Sequence, residues 1–177
     1  MFMPTVPTRM LSIAVGFTIG YLLMNTASFA SESDCKAILD AEHKVYNAPA
    51  HIYATTTMGG HPQTSEMIYA AGNIYSKTSG RWQSIGTIKE IGELTQSNHP
   101  TNKPVCHYVK DESVNGETTA LYSSHEETSK GKVDTQTWIS KSKGLPLRQE
   151  INIDVGGSSG KTVNSTRYEY DNVKAPM

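Results

Sequence analysis

Leu145-Pro146-Leu147-Arg148-Gln149-Glu150-Ile151-Asn152-Ile153-Asp154-Val155 is the stretch on which the fold turns. Leu147, Ile151, Ile153 and Val155 alternate with Arg148, Glu150, Asn152 and Asp154. A period of two places the apolar set on one face of an extended strand and the polar set on the other. A strand with one dry and one wet face belongs to an antiparallel sheet.

Upstream, strands near 105–114 and 117–127 flank Asn115-Gly116, the strongest short hairpin signal. A further strand near 133–140 follows Ser129-Lys130-Gly131, and Ser142-Lys143-Gly144 separates it from the quoted stretch. Downstream, the loop Gly156-Gly157-Ser158-Ser159-Gly160 leads to a last strand near 162–171. Before this meander the pattern predicts strands near 51–58, 65–77 and 81–85, with Gly59-Gly60-Pro62 and Thr78-Ser79-Gly80 as turns.

One long helix precedes the strands. Ser31 or Ser33 supplies the N-cap, Glu32 and Asp34 fall in the first turn, and Pro49 ends the element. Between them Cys35, Ile38, Leu39, Val45 and Tyr46 form an apolar stripe at helical spacing. A short second helix is predicted over 87–95, opened by a Thr87/Glu90 capping box. The fold class is therefore α+β: a curved antiparallel sheet, an unclosed half-barrel, wrapped around the N-terminal helix and the short second one.

Residues 1–30 read as a cleavable signal peptide. Arg9 is the only charge, and Met10 to Met24 is apolar apart from small or hydroxylated residues. That run is about 15 residues, short of the roughly 20 that span a bilayer. Ser28 and Ala30 suit the small positions before a cut after Ala30. Ser31, Glu32, Ser33 and Asp34 before Cys35 do not suit a lipidation site. Residues 31–177 are then one domain without repeat or linker, placed in the periplasm or secreted, with no stable membrane span and no sign of a state beyond the monomer. Both cysteines, Cys35 and Cys106, lie in this part, and an even pair in an exported chain is most simply one disulfide. Net charge is −1 over the whole chain, with acids and bases interspersed, which excludes the concentrated basic patch of a nucleic-acid binder.

Trp138-Ile139-Ser140, then Gly144-Leu145-Pro146-Leu147-Arg148-Gln149-Glu150, then Tyr168-Glu169-Tyr170-Asp171-Asn172-Val173 resemble the C-terminal half of the LolA-like periplasmic proteins, carriers of lipoproteins or lipids. The resemblance covers roughly residues 105–175, and the remainder in element order only. It implies an unclosed β-barrel whose helices cover an apolar cavity. The arginine that helps hold the lid in those carriers has no counterpart here, since the first strand reads His51-Ile52-Tyr53-Ala54-Thr55-Thr56-Thr57-Met58.

No catalytic or cofactor motif is present. His43, His51, His61, His99, His107 and His125 include no i, i+4 pair, and only His51, His107 and His125 sit where strands can bring them together. Glu126, Glu127, Asp134 and Glu150 are the acids nearest a hydrolase arrangement, yet their strand positions are those of a solvated face. Residues 156–160 lack the strand-to-helix context of a nucleophile elbow or a phosphate loop. The reading is accordingly non-enzymatic and cofactor-free: an exported protein that holds a lipid, a lipoprotein acyl chain or an apolar peptide. The residues expected to line its cavity are Tyr69, Trp82, Tyr108, Tyr122, Trp138, Ile151 and Ile153. The alternative is an interaction domain with a filled core that binds another cell-envelope protein.

Overall fold

The computed structural model describes residues 31–91, 103–128, 131–156 and 160–176. The expected signal segment and the cut after Ala30 lie outside the described residues. Ser31 is the N-cap: its side chain accepts from the Ser33 backbone N–H, and helix α1 runs Glu32–Val45. Ile38, Ala41 and Val45 are its buried residues. Burying an isoleucine or valine is worth roughly 1.5–3 kcal/mol, enough for the apolar stripe, rather than intrinsic propensity, to hold a helix of this length in place.

Nine antiparallel strands follow: β1 Ala50–Met58, β2 His61–Ala70, β3 Asn73–Thr78, β4 Arg81–Thr87, β5 Val105–Val114, β6 Glu117–Thr128, β7 Gly131–Ser140, β8 Pro146–Asp154 and β9 Lys161–Glu169. They form one open sheet in the order β4-β3-β2-β1-β9-β8-β7-β6-β5. The first and last strands pair at its middle, so two meanders, β1 to β4 and β5 to β9, are joined there. This is the α+β half-barrel that the alternation predicts.

The strand expected over 65–77 is two strands. Ala71 (φ 52°) and Gly72 (φ 78°) make a two-residue turn inside it, with both residues left-handed as a type I′ hairpin requires. Asn115 (φ 52°) and Gly116 (φ 84°) make the same turn where the sequence marks it. Val155 lies past the end of β8 and is exposed, so the alternation stops one residue earlier than expected. The second helix begins as predicted: residues 88–91 are helical. The Glu90 carboxylate accepts from the Thr87 N–H at 2.9 Å, and Thr87 Oγ1 accepts from the Glu90 N–H at 3.2 Å. Its continuation over 92–95 lies outside the described residues.

The α1 helix crosses the inner face diagonally. At its start, Ile38 and Ala41 pack with Cys106 and Ile139, and Cys35 and Tyr122 pack against that cluster. At its end, Val45 packs with Ala50 and Ile52, flanked by Met67, Tyr69, Tyr168 and Tyr170. Cys35 and Cys106 are disulfide-bonded, with Cα atoms 5.1 Å apart. The same corner covers the β5 edge: Asp34 Oδ2 accepts the Tyr108 N–H at 3.0 Å, and the Ser31 N–H donates to the Cys106 carbonyl at 3.3 Å. An open sheet edge is a template for unwanted pairing. Here a helix terminus occupies part of it.

Candidate ligand-binding cleft

Because α1 runs diagonally, it leaves a cleft of about 140 Å³ between its first turns and the sheet. From α1 come Ile38, Leu39 and Glu42; Ser124 and Glu126 come from β6, Val133 and Thr135 from β7. The disulfide forms one end wall. Leu39 belongs to the helix's apolar stripe yet is 52% exposed, because it stands at the rim of this cleft instead of against the sheet. On β8, Ile151 pairs with Thr135 and Ile153 with Val133, so both lie on the same side of the sheet as the cleft, one strand beyond its lining. Both isoleucines are only partly buried.

Glu42 is the chemically unusual member. Gln149 Nε2 donates to its Oε1 at 3.1 Å and reaches Thr137 Oγ1 at 3.4 Å. Burial pushes the Glu42 carboxyl above its ordinary range, while the Gln149 hydrogen bond and nearby His43 pull it back down. Deeper under the end of α1, burial raises the hydroxyls of Tyr168 and Tyr170 strongly, and Tyr170 donates to the Pro146 carbonyl at 2.6 Å.

The seven expected lining residues divide between the two faces, and none of them is among the described residues that line this cleft. Tyr69 and Tyr122 lie on the inner face, each packed against an end of α1. Tyr69 stacks on Tyr46 at 6.1 Å. Tyr108 meets Tyr122 edge-on at 5.8 Å at the open side of β5 and is 42% exposed. Ile151 and Ile153 share that face by register. Trp82 and Trp138 lie on the outer face and line no part of the cleft. Trp138 is next to inward Ile139 in a strand whose register with β6 is regular, so it must point the other way. Arg148 covers its ring at 4.7 Å, and Glu112 takes its indole N–H. Trp82 pairs with Lys77 and lies edge-on to His51 at 5.8 Å. Glu42 and Leu39 are site residues that the sequence reading misses, and Glu126, read there as an acid of a solvated face, lines the cleft instead. Leu39 carried the only sequence signal, a large aliphatic at the edge of the helix stripe.

The histidines do not assemble. His107 and His125 are diagonal neighbours on β5 and β6, whereas His51 is on β1. His125 Nδ1 bonds Asp134 at 2.6 Å. Among the described residues no group of three His, Cys, Asp or Glu side chains is placed to hold a metal ion. No described helix is long and apolar enough to cross a membrane.

The architecture is an unclosed antiparallel sheet laid around an N-terminal helix, with a cleft between them. The chain is similar in fold to the lipoprotein LppX from Mycobacterium tuberculosis, at 11% identity and TM-score 0.49, over 82% of this chain and 100% of that one. It is similar also to LprF from Mycobacterium bovis, at 11% identity and TM-score 0.46, over 84% and 96%. For a LolA superfamily protein from Nitrosomonas europaea the values are 10% and 0.30, over 77% and 91%. No family model matches the sequence, and no curated protein matches it. The likeness is one of chain course and carries nothing about ligand.

Proposed function

We propose that this is an exported, non-enzymatic binding protein, cut after Ala30, that takes the apolar part of an amphiphilic ligand into the cleft between α1 and the sheet. The observation that carries the reading is Leu39: a large aliphatic left half-exposed by its own helix, lining the same cleft as Val133 and the disulfide. Exposed apolar surface gathered in a concavity is the mark of a binding site. A disulfide is in keeping with an oxidising compartment such as the periplasm.

Size sets the scale of the ligand. An engineered cavity of about 150 Å³ binds benzene, and ligand pockets commonly run about 300–1,000 Å³. A cleft of about 140 Å³ therefore suits a six-carbon body or the end of a longer chain, not a whole acyl chain. The same small volume favours the second reading, an interaction domain that docks another envelope protein. Native mass spectrometry of the protein purified from the periplasm separates the two. A co-purifying apolar small molecule is the expected result. A ligand-free mass with a bound partner protein overturns it. The same spectrum reads the mature N-terminus, expected at Ser31.

A further inference from the structure

Glu42 and Glu126 both line the cleft, and among the described residues lining it there is no lysine or arginine. Many of the described acids elsewhere are ion-paired, among them Glu66 with Lys77, Asp111 with Lys141, Glu150 with Arg148 and Glu169 with Arg167, while Asp34 and Glu90 are held by hydrogen bonds. Against that pattern two carboxylates without a basic partner, facing one concavity, need an explanation. Resting on the reading of this cleft as the binding site, we propose that it selects a cationic amphiphile, an alkylammonium of about six carbons or a longer one entering by that end, with Glu42 and Glu126 as its counter-charges.

The geometry suits such a head group. Gln149 holds Glu42 Oε1 from the floor of the sheet, so the carboxylate is oriented before any ligand arrives. Oε2 makes no hydrogen bond among the described residues and is free to accept an ammonium N–H. A carboxylate buried without a cation is costly, and a cation brought by the ligand offsets that cost. Ile38, Leu39 and Val133 supply apolar contact for the methylenes. Fatty acids and phosphate-headed lipids would set a third negative charge beside two existing ones, and the cleft rejects them.

The test is a methyl-detected NMR titration of the mature protein with hexylammonium, hexanol and hexanoate, followed at Ile38, Leu39 and Val133. Hexylammonium is expected to bind tightest and hexanoate weakest. A hydrogen bond to a charged group sets the size of the variants' effect: Glu42→Gln and Glu126→Gln should each weaken hexylammonium by about tenfold or more. Without ligand, the methyl spectra of both variants away from the cleft should overlay on those of the wild type, which shows that they are folded. Equal binding of hexanoate and hexylammonium overturns the charge preference while leaving the cleft a binding site, as does an unchanged hexylammonium affinity in both variants. If none of the three probes shifts these methyls, the cleft is not a binding site and the proposed function falls with the preference.

Discussion

Arg148 on β8 and Arg167 on β9 are direct cross-strand partners on the outer face. Like charges set opposite one another destabilise a sheet, yet here each guanidinium lies over an aromatic ring: Arg148 over Trp138 at 4.7 Å and Arg167 over Tyr53 at 4.1 Å. Each also pairs with the glutamate two residues on, Glu150 or Glu169. The run continues across the sheet through Tyr53, His51, Glu66 and Lys77 to Trp82. The two tryptophans thus serve the outer face. Trp138, only 5% exposed, should cost about 3–5 kcal/mol when replaced by alanine. Arg148→Ala should cost about 1 kcal/mol or less, because the lost ring contact is partly offset by relief of the arginine pair. Urea unfolding followed by far-ultraviolet circular dichroism measures both, and equal losses would contradict this account.

Closing Cys35 to Cys106 ties a loop across a sequence separation of 71. The chain-entropy model gives about 4 kcal/mol for such a loop. Because the same corner seats the Asp34 carboxylate on the Tyr108 N–H, reduction should also loosen the start of α1. Hydrogen exchange should show the Tyr108 amide losing protection in the reduced protein well before the β8 amides do.

Ala71 sits at φ 52° in the β2–β3 turn. For a residue with a Cβ the left-handed region costs roughly 1–2 kcal/mol, against roughly 0.5–1 kcal/mol for glycine's greater freedom in the unfolded chain. Ala71→Gly should therefore raise stability by about 0.5–1 kcal/mol. Thermal unfolding reads this directly, and a lowered melting temperature would be the contrary result.

The same alanine explains what the sequence hid. Asn115-Gly116 announces its turn because both residue types accept positive φ readily. Ala71-Gly72 adopts the same geometry with only one such residue, inside an otherwise unbroken alternation, so the two strands read as one. The helix, its Ser31 cap and the Thr87/Glu90 box were legible because each rests on local chemistry. Which face a residue joins was less so. Ile151 and Ile153 can be placed on one face by alternation, whereas Tyr69 and Tyr122 are named only as aromatics on strands. Trp138 and Trp82 are expected to line the cavity as strand aromatics with apolar bodies and polar tips, and only the register with neighbouring strands sets them on the outer face beside Arg148 and Lys77. Glu42 as a site residue depends on the diagonal of α1, which no local pattern encodes.

His125 on β6 bonds Asp134 on β7 at 2.6 Å, with Glu127 3.7 Å away. The Asp134 hydrogen bond, reinforced by the charges of Asp134 and Glu127, raises the histidine above its ordinary value of 6.5. A raised histidine stabilises the fold fully below its unfolded pKa, and the contribution is lost as pH rises through the folded one. Asp134→Asn should therefore lower the melting temperature more at pH 5.5 than at pH 9, with both pH values chosen to bracket the histidine range of about 6.5. An equal drop at both would mean the pair contributes nothing through the proton.

Glu42 works in the same pH sense, but through burial and not through an ion pair. Burial raises its carboxyl above the ordinary value of 4.5, so the folded state holds its proton more tightly than the unfolded chain does. Stability from this group is therefore greatest below the unfolded pKa and declines as pH rises through the folded one. Glu42→Gln removes the charge but keeps a side chain of the same shape beside Gln149. The variant should melt above the wild type at pH 7, and the gap should close as pH falls below about 4. Saturating hexylammonium should narrow the pH 7 gap as well, because a ligand that binds the folded charged form more tightly stabilises the wild type more than the variant. Scanning calorimetry at the two pH values, with and without the amine, checks both. A variant less stable than wild type at pH 7 without ligand would show that Glu42 contributes to the fold through its hydrogen bond to Gln149, not that it waits for a cation.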